Sequence, residues 1–133
     1  MMCMNPQRLL PIILAALLVT LVPGCETFPK SGHQALVGTW QNSIGTVWTL
    51  KADGTFDADL DKDGKWDASG RYTVEGNTVT TWRTGGVRPK GCDGKGIYKF
   101  TRTEKGLRFT LVSDKCKLRK QNVLLAWERS EIQ

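Results

Sequence analysis

The chain of 133 residues has one histidine, His33, and it falls in a polar stretch ahead of the main body. Without a histidine in the core, a Ser-His-Asp or Cys-His device has no base. Carboxylates such as Asp57 and Asp59 sit two apart on one strand face, and nothing in the sequence separates their acidities as acid/base hydrolysis requires. No enzymatic activity and no cofactor are therefore expected. Long hydrophobic runs are also missing. The longest, Leu9 to Val22, contains Thr20 and Pro11 and stops at Pro23-Gly24, short of the roughly 20 residues a membrane-spanning helix needs. Lys and Arg do not cluster into a run interleaved with aromatics, which excludes a nucleic-acid binder. No segment has a long helical period, and no internal repeat is present.

What the first 25 residues do contain is a layout for export. Arg8 gives a positive start, the apolar run follows, and Leu21-Val22-Pro23-Gly24-Cys25 closes it. This stretch resembles a bacterial lipobox, in which cleavage before a lipid-modified cysteine leaves that cysteine as the anchor. The resemblance implies a signal peptide over 1–24, a lipidated Cys25 and a tether over 25–34, polar and containing Pro29 and Gly32. Acyl chains contribute about 0.8 kcal/mol per buried methylene, so two or three hold a small domain on a bilayer. Glu26, rather than Asp, follows the cysteine. By similarity to sorted lipoproteins this implies the periplasmic face of an outer membrane, if the cell has one.

Cleavage removes only Arg8 among the charged residues and lowers the formal charge from +6 by one. The charge is uneven: residues 51–70 hold six acids against three bases, residues 71–133 fourteen bases against six acids. Such a basic half suits either a solvated surface or an anionic partner. Of four cysteines, Cys3 leaves with the signal and Cys25 carries lipid, so Cys92 and Cys116 remain. In an oxidising compartment an even pair predicts a disulfide. A two-cysteine metal site is the alternative, but no histidine lies near to complete it.

The domain, over 35–130, is punctuated by turn signals at Asn42-Ser43, Asp53-Gly54, Asp63-Gly64, Gly76-Asn77 and Lys105-Gly106. Between them, runs rich in Thr, Val, Trp, Tyr and Phe predict eight strands, at about 37–41, 45–51, 55–61, 65–74, 77–83, 96–102, 107–113 and 122–129. A helical turn fits near Asp114 to Lys120. Alternation puts Phe56, Ala58 and Leu60 on one face, and likewise Trp66, Ala68, Gly70, Tyr72 and Val74. The fold class is all-β: an antiparallel up-and-down meander closed into a barrel.

Gly38-Thr39-Trp40 opens the first strand, and Arg129 follows Trp127 at the end of the last. In this the chain resembles the lipocalin-like (calycin) family of eight-stranded barrels. The resemblance implies that Trp40 closes one end beneath Arg129, a cation–π contact of about 0.5–2 kcal/mol, with Gly38 letting the chain pass close by. It also implies binding of a small apolar or amphipathic ligand inside, lined by Trp48, Phe56, Trp66, Tyr72, Tyr98 and Phe109. The competing reading is a protein-binding envelope module, such as a hydrolase inhibitor or assembly accessory, with a filled core.

Two segments carry other signals. Asp59, Asp61, Asp63 and Gly64, followed by Asp67, resemble the start of an EF-hand calcium loop. Gly70 stands where the bidentate Glu belongs, and the flanks read as strands, so an acidic hairpin is the preferred reading and no metal is expected. The loop from Thr84 to Gly96 is long for a hairpin and basic through Arg88, Lys90 and Lys95, which suits either a flexible connection or a functional loop.

Overall fold

A computed structural model describes residues 31–130. Cys25, the signal segment and most of the tether lie outside the described residues. A four-residue helix, α1 (His33–Leu36), leads into eight antiparallel strands: β1 (Gly38–Asn42), β2 (Val47–Leu50), β3 (Thr55–Asp59), β4 (Ala68–Glu75), β5 (Thr78–Gly86), β6 (Gly96–Arg102), β7 (Gly106–Ser113) and β8 (Trp127–Arg129). Helix α2 (Lys117–Val123) lies between β7 and β8. Each strand pairs with its neighbours in sequence, and β1 pairs with β8, so the sheet closes into the expected barrel. Closure removes the exposed edges that an open meander would present.

Alternation does what the sequence pattern requires. In β6, Tyr98 and Phe100 point inward while Lys99 and Thr101 are exposed. Gly70 of β4 lies opposite Phe56 of β3, and a Cβ there would come within 2.5 Å of that ring. Only glycine leaves room there for the Phe56 ring and the Trp82 carbonyl. The buried core includes Trp40, Leu50, Val79, Tyr98 and Leu107.

Four expectations need correction. The first is β4, which begins at Ala68 rather than at 65. Asp59 accepts hydrogen bonds from the N–H groups of Asp63 and Gly64, and Asp67 accepts from Leu60 N–H at 2.7 Å. These bonds hold 60–66 as a loop, so the alternation read through Trp66 does not extend that far. The second is the last strand, which covers 127–129 only, because good helix formers from Lys117 to Gln121 continue α2 to Val123. Third, β5 runs on to Gly86, leaving a shorter loop of 87–95. Fourth, the end of the stretch expected as tether is structured: His33 starts α1 and stacks on Tyr72, with ring centroids 5.2 Å apart and planes within 9°.

Candidate functional site at the barrel mouth

Strand reversal puts the β1–β2, β3–β4, β5–β6 and β7–β8 connections at one end and the others, with α1, at the opposite end. The two ends differ in construction. At the α1 end, Trp40 is fully buried and its indole N–H donates to Leu36 C=O at 2.8 Å. The Arg129 guanidinium carbon lies 4.6 Å from the ring centroid, and that of Arg102 lies 4.7 Å away. Burial, and then the neighbouring Arg129 charge, push the Arg102 guanidinium below its ordinary value. Gly38 has a φ of 145°, which side-chain-bearing residues rarely adopt, and a Cβ there would also fall 2.7 Å from Arg129 Nη1. Arg102 also donates to Ala35 C=O at 2.9 Å, tying α1 down. Tyr72 O–H donates to Lys51 C=O at 2.6 Å; burial and the Asp53 charge raise its pKa to about 12. This end is shut.

Above it lies a layer of aromatics. Trp48 contacts Phe56, Phe109 and Trp127 with centroids 5.7, 5.9 and 5.4 Å apart. Phe109 in turn meets Tyr98 and Phe100. Tyr98 donates its hydroxyl to Asp114, which also binds Arg119 through two bonds of 2.6 and 2.7 Å. Burial pushes the Asp114 carboxyl up, but Arg119, Tyr98 and the Cys116 N–H outweigh it and hold the group below its ordinary range. Burial and the Asp114 carboxylate push the Tyr98 hydroxyl up. Gly96 makes room for the cluster, since a Cβ there would lie 2.4 Å from Asp114 Oδ2.

At the other end the interior is not filled. A cavity of about 100 Å³ opens between the β3–β4 loop, the 87–95 loop and α2. Its floor is Trp48, Phe56 and Trp127, and its walls include Ala58, Leu60 and Val123. Helix α2 covers part of the mouth. Asn122 fixes it there by accepting from Thr46 Oγ1 at 2.5 Å and from Asn42 Nδ2 at 3.4 Å. The Cys92–Cys116 disulfide forms and lines the rim. It ties the 87–95 loop to the start of α2, and Arg88 binds Asp93 in the same loop at 2.8 Å.

The lining expected from sequence divides accordingly. Trp48 and Phe56 reach the cavity, whereas Tyr72, Tyr98 and Phe109 belong to the packed layers below it. Trp66 is 53% exposed at the mouth, outside the interior, because it sits in the loop that the Asp59 and Asp67 carboxylates hold. Ile44, Val87, Leu118 and Leu124 are exposed around the same mouth. Thr81, Arg83 and Trp127 line the cavity but were not assigned to it from sequence. A signal for the first two existed: Val79, Thr81 and Arg83 are in phase on one strand.

Asp59, Asp61 and Asp67 converge, with one oxygen of each within 4.8 Å of the others. Asp63, the third candidate, is not in that group and instead accepts from Lys65 N–H. Burial pushes the Asp59 carboxyl up, but the Gly64 and Asp63 N–H groups hold it low overall. Burial and the neighbouring carboxylates raise Asp61. The three could approach a hard cation, and all three already accept from backbone N–H groups of their own loop.

No known protein family, curated protein or solved structure matches the chain.

Proposed function

We propose that the protein is a lipid-anchored envelope protein that binds a small apolar or amphipathic molecule in the mouth of its barrel, without catalysing a reaction on it. The observation that carries this reading is the apolar cavity floored by Trp48, Phe56 and Trp127. A well-formed apolar recess with a few polar groups is the usual form of a small-molecule site. The disulfide supports an oxidising compartment, in agreement with export through the signal-like segment and anchoring at Cys25. The chain enters the barrel through α1, at the closed end opposite the mouth.

Two experiments test the two halves of the proposal. Cys25→Ser should release the protein from the membrane fraction and block processing; unchanged fractionation and processing would contradict anchoring. Native mass spectrometry before and after lipid extraction should show a small adduct, one per chain, that extraction removes. A bare mass both times would argue against a resident ligand. The exposed Ile44, Trp66 and Leu124 around the mouth favour a second reading, docking of a partner protein on that rim. In that case Trp66→Ala would abolish the function while leaving small-molecule binding intact.

A further inference from the structure

The seven large apolar side chains left exposed among the described residues all lie toward one end of the barrel. Ile44, Trp66, Val87, Leu118 and Leu124 stand on the four connections that ring the mouth, and Leu111 and Val112 on the last residues of β7 before it. An exposed apolar residue by itself needs no explanation, but a ring of them around one opening marks a surface that meets something apolar. Val87 and Leu118 also belong to the cavity wall, so the patch continues into the apolar recess.

Charge is divided between the ends in the same way. The mouth connections, 43–46, 60–67, 87–95 and 114–126, carry nine bases and five acids, whereas 51–54, 76–77 and 103–105 at the closed end carry two of each. Two of the mouth acids are taken up: Asp114 binds Arg119, and Asp93 binds Arg88. Asp61, Asp63 and Asp67 share the 60–67 loop with Lys62 and Lys65, which leaves that loop near neutral. The basic excess is therefore in the 87–95 loop and around α2. No carboxylate of the described residues pairs there with Lys90, Lys115, Lys117 or Lys120.

This combination restricts the partner. Protein interfaces are depleted in lysine and enriched in arginine, yet here the arginines are tied to their own acids and the unpaired cations are lysines. Trp and Leu side chains flanked by lysines are what a protein presents to the headgroup–acyl boundary of a membrane. We propose that the mouth end of the barrel docks on an anionic phospholipid bilayer, with Trp66, Leu118 and Leu124 in that boundary and the lysines of the 87–95 loop and α2 on the phosphates. Such docking requires neither a ligand in the cavity nor a lipid on Cys25.

The test is hydrogen exchange of the full chain, read by mass spectrometry, with vesicles of phosphatidylcholine alone and of phosphatidylcholine mixed equally with phosphatidylglycerol. The first 30 residues are present with both, so exchange within the barrel separates docking from any attachment they make. With the anionic vesicles the amides of 87–95 and 114–126 should exchange more slowly. Those of 51–54, 76–77 and 103–105 should keep their rates, which also shows that the barrel is intact. High salt should reverse the protection. Lys117→Gln and Lys120→Gln should each raise the lipid concentration needed for half protection about fivefold, and Trp66→Ser should raise it as well. Equal protection with the two vesicles would overturn the anionic surface, and equal protection of the closed end would overturn the mouth as the docking face. No protection with either would overturn docking on lipid and leave the rim to a partner protein.

Discussion

Replacing Trp40 with alanine removes the side chain on which the closed end is built. The ring is fully buried, its N–H satisfies Leu36 C=O, and two guanidiniums lie against it. Truncating a core aromatic costs about 3–5 kcal/mol. Loss of the indole donor adds about 1 kcal/mol, and loss of the ring beneath Arg102 and Arg129 about 0.5–1 kcal/mol for each cation. A sum above about 5 kcal/mol approaches the whole stability of a small domain, so Trp40→Ala is expected to be largely unfolded at 37 °C. Trp40→Phe keeps most of the buried ring and loses the N–H, and should cost about 1.5–3 kcal/mol. Urea unfolding followed by far-ultraviolet circular dichroism reads both. Arg102→Met and Arg129→Lys complete the cycle, and each should be coupled to Trp40→Phe by at least about 0.5 kcal/mol. Additive losses, or a cost below about 1 kcal/mol for Trp40→Phe, would refute the description of this end as a Trp–Arg plug.

Two further predictions concern the rim. Replacing Cys92 and Cys116 together with alanine should cost about 3–4 kcal/mol by chain-entropy arguments for a separation of 24 residues; differential scanning calorimetry of the two forms checks this, and an unchanged midpoint would contradict it. Asp114→Asn should destabilise by about 2–4 kcal/mol, because it leaves the partly buried Arg119 without its carboxylate. The folded carboxyl titrates below its unfolded value near 4. Its contribution is therefore fully present above about pH 4 and lost as pH falls through the lower folded value. Urea midpoints measured from pH 6 to pH 2 should fall in the native chain, and should fall less steeply in Asp114→Asn.

The barrel was legible in the sequence because the period of two holds in β3, from Tyr98 to Thr101 in β6 and from Leu107 to Thr110 in β7, and because glycine and aspartate mark the turns. The closed end was legible through Gly38, Trp40 and Arg129, whose roles came from the resemblance to lipocalin-like barrels and whose contact is made by pairing the first strand with the last. The mouth was not. Trp66 continues the alternation of β4 on paper, yet side-chain carboxylates from Asp59 and Asp67 take up the backbone donors that a strand would need. Val123 and Leu125 fit a strand pattern equally well, but a buried Asn122 bonded to Thr46 and the disulfide at Cys116 fix this segment as helix and loop. Arg102 gave no local signal. Its role depends on β6 and β7 bringing it beneath a tryptophan more than sixty residues earlier in the chain.

The five tryptophans provide a direct test of the central claim, that the mouth of this barrel is a binding cavity. Trp48 and Trp127 line it, while Trp40 lies in the closed end, Trp66 on the rim and Trp82 under Lys95 on the outside of the sheet. Each contributes one indole N–H signal to a ¹⁵N-correlated NMR spectrum. Titration with 1-hexanol should shift the Trp48 and Trp127 signals saturably and together, and leave those of Trp40, Trp66 and Trp82 in place. A shift confined to Trp66, or no saturable shift at Trp48 and Trp127, would contradict the account.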